Sequence, residues 1–217
     1  MPNWVRNEVT ITGPTEKVQE IYELINTPDD ADPASILKHY FPLPDEATKI
    51  VTGTTPTGED FSYGAFTDTG YTTALELWGT KWADCDTYAA DQPTDFGNGF
   101  SELTFSCQSA WSPPLVGWQA LSEKFDLMIA TSFEEEQPDF IGCQIFIDGE
   151  NAFFFEVNGN TIFGACPPYP DNGTDEEVDK YWEERSDVIT DFRVMVDDQC
   201  HTVAKRLAKN YLTKASA

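Results

Sequence analysis

The alternation of side chains in residues 101–107 constrains the fold of this chain more than any other feature. Every second residue of SELTFSC is apolar, which predicts a β-strand that buries one face. The Ser112-Pro113-Pro114 segment that follows suits the start of a helix, with Ser112 as its cap. Apolar residues then recur every three or four positions through residues 115–125, so the strand leads directly into an amphipathic helix.

The same strand-helix order opens the chain. Residues 3–12 alternate toward their end, which predicts a strand, and Gly13-Pro14 interrupts that pattern. Residues 15–25 then carry apolar side chains at helical spacing. The chain therefore contains two strand-helix units in succession.

Hairpins follow the second unit. Residues 127–136 and 139–150 predict two antiparallel strands joined by a short acidic turn, and residues 151–165 predict a further hairpin turning at Asn158-Gly159. Upstream, the segment LELWGTKWADCD at residues 75–86 predicts a bend at Gly79 that carries the chain into another strand.

Together these elements predict an α+β fold. Its centre is a ferredoxin-like split β-α-β antiparallel sheet with added hairpins and with helices on one face. We expect this domain to span residues 1–166, with an insertion rich in Thr, Gly and Asp at about residues 45–74. From Asp175 to Leu212 the pattern is helical, so residues 167–217 predict a C-terminal extension of two helices packed on the domain.

The balance of charge limits the classes of partner. Acidic residues outnumber basic ones by 38 to 13, for a formal net charge of −25, and the last 14 residues hold four bases and no acid. A field of this sign repels nucleic acid and anionic membranes and favours basic partners. We therefore expect no direct nucleic-acid or membrane binding, although solubility or life at high salt would also account for such a surface.

The sequence also indicates a compartment. No apolar run approaches the ~18 residues of a membrane span, and the N-terminal residues lack the long apolar stretch of a signal peptide. The five Cys stand singly, which suits reduced and mostly buried thiols. We expect a cytoplasmic protein.

Patterns for catalysis, metals and cofactors are weak. His39 and His201 are the only histidines, and residues 53–60, GTTPTGED, imitate a phosphate-binding loop but place Glu-Asp where Lys-Ser/Thr is needed. The acidic loops lack the spacing of a calcium site. We expect no metal, no cofactor and no catalytic residue, and an enzyme is the less favoured possibility.

One polar-aromatic cluster offers an alternative. A small-ligand site or an enzyme site around the WGTKW segment would use its lysine and acids as polar anchors beside an aromatic surface. The competing interpretation, which we favour, is that the tryptophans pack the core at a bend. The residues of this alternative site are Trp78, Lys81, Trp82, Asp84, Asp86 and Trp111.

Several motifs in one order resemble a known family. MPNWVRNEVTITG at the N-terminus, FPLP at 41–44, WGTKWADCD at 78–86, SAWSPP at 109–114 and LS at 121–122 resemble the YubB-type ferredoxin-like family of phage and plasmid proteins, which includes the Api-like phage proteins. The resemblance covers about residues 1–148. It implies a ferredoxin-like fold and a mobile-element origin, and it implies no catalytic residue because the family is functionally uncharacterised. If the chain is phage-encoded, the expected location is the cytoplasm of the host cell.

The acidic runs supply the preferred functional hypothesis. Carboxylates spread over a rigid surface can imitate a phosphate track and occupy the basic cleft of a host defence protein, although a solvated acidic face is the simpler interpretation. The predicted partner-binding residues are Asp29, Asp30, Asp32, Glu134, Glu135, Glu136, Asp175, Glu176, Glu177, Asp179, Glu183 and Glu184. The apolar and basic end at residues 203–214 would either dock on the acidic body or pair with a second copy, which would give a homo-oligomer.

Overall fold

The computed structural model describes residues 2–26, 35–88 and 91–215. Within these ranges the strands are β1 Trp4–Pro14, β2 Thr48–Thr54, β3 Asp60–Phe66, β4 Cys85–Tyr88, β5 Thr94–Asp95, β6 Phe100–Ala110, β7 Met128–Glu135, β8 Phe140–Ile147 and β9 Glu150–Asn158. The helices are α1 Thr15–Asn26, α2 Ile36–Tyr40, α3 Asp68–Trp78, α4 Leu115–Phe125, α5 Gly159–Ala165 and α6 Asp175–Ala215, and a 3₁₀ turn covers Asp45–Ala47.

The main sheet is antiparallel, and β1 lies near its centre. Its strands follow the order β4-β6-β1-β7-β8-β9, and β5 also pairs with β6. β1 pairs along its whole length with β6, from Trp4 opposite Ala110 to Pro14 opposite Phe100. The sheet and its helices confirm the expected α+β class, and the two strand-helix units form where the alternation of the sequence predicts them.

One face of the sheet packs against α1 and α4. Val9, Ile11 and Phe105 point into this core, where Trp118 and Leu121 of α4 are fully buried. Burying such side chains stabilises the fold by about 1.5–3 kcal/mol each. The two helices of the strand-helix units therefore share one face, as expected.

The opposite face is covered by α6. Ala130 of β7 and Cys143 and Ile145 of β8 form a second core with Ile189 and Val196 of this helix. The helix has 41 residues, which makes it about 60 Å long. The sequence predicts two C-terminal helices, whereas the structure has one. A single helix forms because the apolar spacing continues without a break into the segment that packs on the sheet.

The bend predicted at Gly79 is confirmed: Gly79 ends α3 in the left-handed conformation, at φ 81°, and the chain then enters β4 at Cys85. Two other local predictions are wrong, each for a physical reason. Asn158 caps α5 through a bond from the Thr161 N–H at 3.1 Å and starts no hairpin. Ser112 donates to the Gly79 carbonyl at 3.0 Å, so α4 begins after Pro114 without a side-chain cap.

The stretch predicted as an insertion contains a β-hairpin and most of helix α3. β2 and β3 form a separate two-stranded sheet, paired from Thr48 opposite Phe66 to Thr54 opposite Asp60. Much of this hairpin is exposed, including Ile50 and Tyr63. The hairpin projects from the domain and, together with α3, forms one wall of a cleft.

Candidate functional sites: an aromatic cleft and an acidic helix

The first tryptophan of the WGTKW segment belongs to the core. Trp78 is 1% exposed, and its indole N–H donates to the Phe41 carbonyl at 3.0 Å. Gly79 follows in the left-handed conformation, and a Cβ there would lie 3.0 Å from Val116 Cγ2. The glycine thus lets α3 end directly against α4, and Trp78 has a packing role.

Asp84 is also buried, but it is polar and fully hydrogen-bonded. Its carboxylate accepts bonds from the Ser35 hydroxyl at 2.7 Å and from the Leu37 backbone N–H at 3.1 Å. Burial raises the pKa of Asp84 to about 7, although the bonds from Ser35 and from the α2 backbone act in the opposite direction. Asp84 therefore fixes the start of α2 and does not face a ligand.

The remaining aromatic residues of the cluster form a stack. Trp82 lies between Trp4, at 6.0 Å between ring centroids, and Trp111, at 6.4 Å, with interplanar angles of 27° and 17°. The Lys81 ammonium lies 4.4 Å from the Trp82 ring centroid and 5.3 Å from that of Trp111. Cation–π contacts thus hold this ammonium beside the stack.

The Lys81–Trp82 segment borders the cleft below the β2–β3 hairpin. This cleft has a volume of about 1240 Å³ and is lined by aromatic, hydroxyl and lysine side chains. Trp78, Lys81 and Trp82 of the sequence-predicted ligand site belong to its lining. Asp86 is instead exposed on β4, with a φ of 49°. Tyr63 and Tyr71, which also line the cleft, were missed because they lie in the Thr-, Gly- and Asp-rich stretch predicted as an insertion, before the motif.

The acidic residues at the end of β7 are engaged within the protein. Glu134 accepts two bonds from the Arg193 guanidinium, at 2.6 and 2.7 Å. Glu135 is 2% exposed and accepts bonds from the backbone N–H groups of Gln137 and Asp139, which closes the turn into β8. Only Glu136 of this run is exposed. Asp29, Asp30 and Asp32 lie outside the described residues.

The acids of α6 are exposed. All six that the sequence singles out, Asp175, Glu176, Glu177, Asp179, Glu183 and Glu184, face solvent in the first three turns. Glu177 caps the helix by accepting a bond from the Thr174 N–H at 2.8 Å, and Glu184 pairs with Lys180 at 3.3 Å. Glu176, Asp179, Glu183 and Asp187 recur at intervals of three and four residues, which places one carboxylate per turn along one side of the helix.

An aromatic cluster beside these acids escaped the sequence analysis. Trp182 is 51% exposed and contacts Tyr169 and Tyr181, with centroids 6.4 and 5.0 Å away. The Arg185 guanidinium lies 5.4 Å from the Trp182 ring centroid. Trp182 precedes the buried Ile189 and Val196 by seven and fourteen residues, so it continues the packing stripe of α6 beyond the sheet. That heptad spacing could have revealed it.

Other classes of site find little support in the described part of the chain. Across residues 2–26, 35–88 and 91–215, no three His, Cys, Asp or Glu side chains converge as metal ligands would. None of the described helices combines the length and the apolar composition that crossing a bilayer would require.

Comparison with known proteins agrees with this fold. Residues 78–163 match the family model described as the ferredoxin-like domain in Api92-like protein. The resemblance to Api-like proteins is confirmed over this segment, which contains both the WGTKW and the SAWSPP motifs. A crystal structure of a protein api92 from Yersinia pseudotuberculosis also matches, with a TM-score of 0.44 and 11% identity over 73% of this chain and 99% of that chain. No curated protein matches the sequence.

Proposed function

We propose that this chain is a non-enzymatic interaction protein that binds and inhibits a host protein with a basic surface. The observation that carries the proposal is Trp182, which is 51% exposed on a helix whose neighbouring surface holds one carboxylate per turn. The resemblance to phage and plasmid proteins supports a host defence protein as the partner. The contact would be centred on Trp182 and surrounded by the acids of α6.

The aromatic cluster has the composition of an interface centre. Trp, Tyr and Arg are the residue types that contribute most binding energy at protein interfaces, and charged residues surround them at the rim. Trp182 and Tyr169 are about half exposed, and Arg185 stacks on Trp182. Covering the indole would remove apolar surface from water at roughly 25 cal/mol per Å².

The carboxylate row defines the charge of the partner. Glu176, Asp179 and Glu183 project from successive turns, about 5.4 Å apart along the helix axis. A regular row of negative charges on a rigid rod can occupy a groove that ordinarily holds a phosphate backbone. The proposed partner is therefore a nucleic-acid-binding protein, and inhibition would result from competition with its nucleic acid.

The test is affinity capture from a host lysate over a salt series, followed by binding measurements with the purified partner. We expect one discrete partner that is retained at low salt, is lost as salt rises and is displaced by DNA or RNA. Trp182→Ala should weaken binding by about 2 kcal/mol or more if the indole is an interface centre. The triple variant Glu176→Gln, Asp179→Asn, Glu183→Gln should weaken it mainly by slowing association.

A matched control separates a specific acidic surface from the general field of the protein. Asp45→Asn, Glu46→Gln, Glu59→Gln removes the same number of exposed charges away from α6 and should leave binding nearly unchanged. Equal losses in the two triple variants would show that only net charge matters. An affinity that changes neither with salt concentration nor in Trp182→Ala would overturn the proposal.

A further inference from the structure

We propose that the cleft beneath the β2–β3 hairpin binds planar aromatic anions, with the Lys81 ammonium contacting the anionic group and Tyr63 and Tyr71 stacking on the ring. The cleft measures about 1240 Å³ and opens between the hairpin, α3 and the Lys81–Trp82 segment. This inference is independent of the proposed protein partner, since the cleft lies on different elements from the acidic helix.

The charge of the cleft is opposite to that of the chain. Among the described residues, two lysines, Lys38 and Lys81, and one acid, Asp68, line it, whereas the whole chain has 38 acids and 13 bases. A protein of this composition repels anions over most of its surface. A concavity with more cations than acids is therefore a place where an anion can bind. The lining therefore favours an anionic ligand.

Lys81 is placed to meet such a ligand. Its ammonium lies 4.4 Å from the Trp82 ring centroid, and among the described residues no carboxylate forms an ion pair with it. Contact with a π-face fixes the position of an ammonium but satisfies none of its N–H donors with an oxygen acceptor. A carboxylate or sulfonate entering the cleft would supply that acceptor.

The backbone is strained at Trp111, the second aromatic residue beside the Lys81 ammonium. Trp111 has a φ of 66°, in the left-handed region that bulky residues rarely occupy. Two backbone bonds hold it there, from the Trp111 N–H to Asn3 at 2.9 Å and from the Ala110 N–H to Trp82 at 3.0 Å. In this conformation the Trp111 ring lies 5.3 Å from the Lys81 ammonium, so it adds a second aromatic contact to the one from Trp82.

The other lining residues favour a flat ring. Tyr63 and Tyr71 are 56% and 41% exposed, and their phenol rings offer stacking surfaces within one concavity. Ligand pockets of ~300–1,000 Å³ hold drug-sized molecules. A cleft of 1240 Å³ thus has room for a fused ring system together with its anionic group.

Isothermal titration calorimetry with 2-naphthoate and its neutral analogue 2-naphthamide tests the proposal. We expect the full chain to bind naphthoate more tightly, by about tenfold or more, because a hydrogen bond to a charged group contributes about 1.5–3 kcal/mol. Lys81→Met should abolish this preference, and Lys81→Arg should retain it. Tyr63→Ala should weaken both ligands by the same factor.

Lys49→Met is the matched control, since Lys49 lies on β2 outside the cleft lining and is exposed. It should leave the preference for naphthoate intact, and all variants should keep the circular dichroism spectrum of the parent. Three outcomes would overturn the proposal: equal affinity for the neutral amide, an unchanged preference in Lys81→Met, or no saturable binding of naphthoate at millimolar concentration.

Discussion

The carboxylate of Asp84 accepts a hydrogen bond from the backbone N–H of Leu37 at 3.1 Å, across a separation of 47 residues. A fully buried acid in the WGTKW region thus satisfies an N–H group in the first turn of α2, and the Ser35 hydroxyl adds a second bond at 2.7 Å. The acid that the sequence grouped with a ligand site therefore links two distant segments of the fold.

Replacing Asp84 should destabilise the protein. Asp84→Ala leaves the Leu37 N–H buried without its partner, which costs about 1–3 kcal/mol. Urea unfolding measures this loss, and Glu76→Ala is the control because Glu76 is exposed on α3. The control should change the free energy of unfolding by less than about 0.5 kcal/mol. Equal effects of the two substitutions would contradict the role assigned to Asp84.

The raised pKa of Asp84 also predicts a pH dependence. Burial places this pKa at about 7 in the folded state, above the value of roughly 3.9 expected when unfolded. Between these values the folded state binds more protons, so the contribution of Asp84 to stability is fully present below pH ~4 and is lost as pH rises to ~7. The free energy of unfolding of the wild type, minus that of Asp84→Asn, should fall across this window. A difference that stays flat or rises would exclude the assignment.

Gly79 should tolerate alanine less well than Gly97 does. Both glycines have positive φ, 81° and 74°, so alanine is strained by about 1–2 kcal/mol at either position. At Gly79 the new Cβ would also lie 3.0 Å from a side-chain carbon and 3.3 Å from the backbone nitrogen of Val116, whereas at Gly97 it meets open space. Thermal unfolding should show the larger decrease in melting temperature for Gly79→Ala. A decrease of the same size in both variants would mean that the packing against α4 adjusts freely.

The Glu134–Arg193 pair should contribute to the docking of α6. Two hydrogen bonds join the pair, and the Glu134 side chain is only 19% exposed. We therefore expect a coupling energy near 1 kcal/mol in a double-mutant cycle of Glu134→Gln and Arg193→Gln. The exposed pair Lys180–Glu184 provides the comparison, and its coupling should be about 0.3–0.5 kcal/mol. A smaller coupling for Glu134–Arg193 than for Lys180–Glu184 would argue against a docking role.

Thiol reactivity should divide the five cysteines into two groups. Cys85 and Cys166 are partly exposed, whereas Cys107, Cys143 and Cys200 are buried. Burial raises the pKa of the Cys107 thiol, and a hydrogen bond to Cys200 together with burial raises that of Cys143. Titration with a disulfide reagent should give two fast thiols in the native protein and five in denaturant. Four fast thiols without denaturant would indicate that α6 leaves the sheet readily, because Cys143 and Cys200 lie in the core beneath α6 whereas Cys107 lies in the core on the other face.

The sequence predicts elements that depend on local pattern. The alternation in β6 and the helical spacing of α4 both correspond to the observed structure, because apolar periodicity reports directly which face is buried. Asn158-Gly159 misled the prediction because the same pair suits a hairpin turn or a helix start. The Asp148-Gly149 pair, with φ of 52° and 81°, forms the turn between β8 and β9 instead.

The candidate sites depend on contacts that no local pattern contains. Glu134 and Glu136 are identical neighbours of one acidic run, yet only Glu134 meets Arg193, 59 residues away. The cleft is likewise assembled from the hairpin, α3 and the Lys81–Trp82 segment, which are distant in sequence. Sequence reasoning could therefore identify the tryptophans and the acids as candidate site residues. It could not tell which of these side chains are buried or hydrogen-bonded within the fold.

The central position of β1 has a consequence for how the sheet finds its correct pairing. β7 and β8 bury side chains on both faces, so a slip by one residue would leave their hydrophobic pattern almost unchanged. β1 differs, since a slip would move Glu8 and Thr10 into the core and expel Val9 and Ile11. Because β1 pairs directly with β7, the alternation of β1 fixes the register of a strand whose own hydrophobic pattern does not specify it.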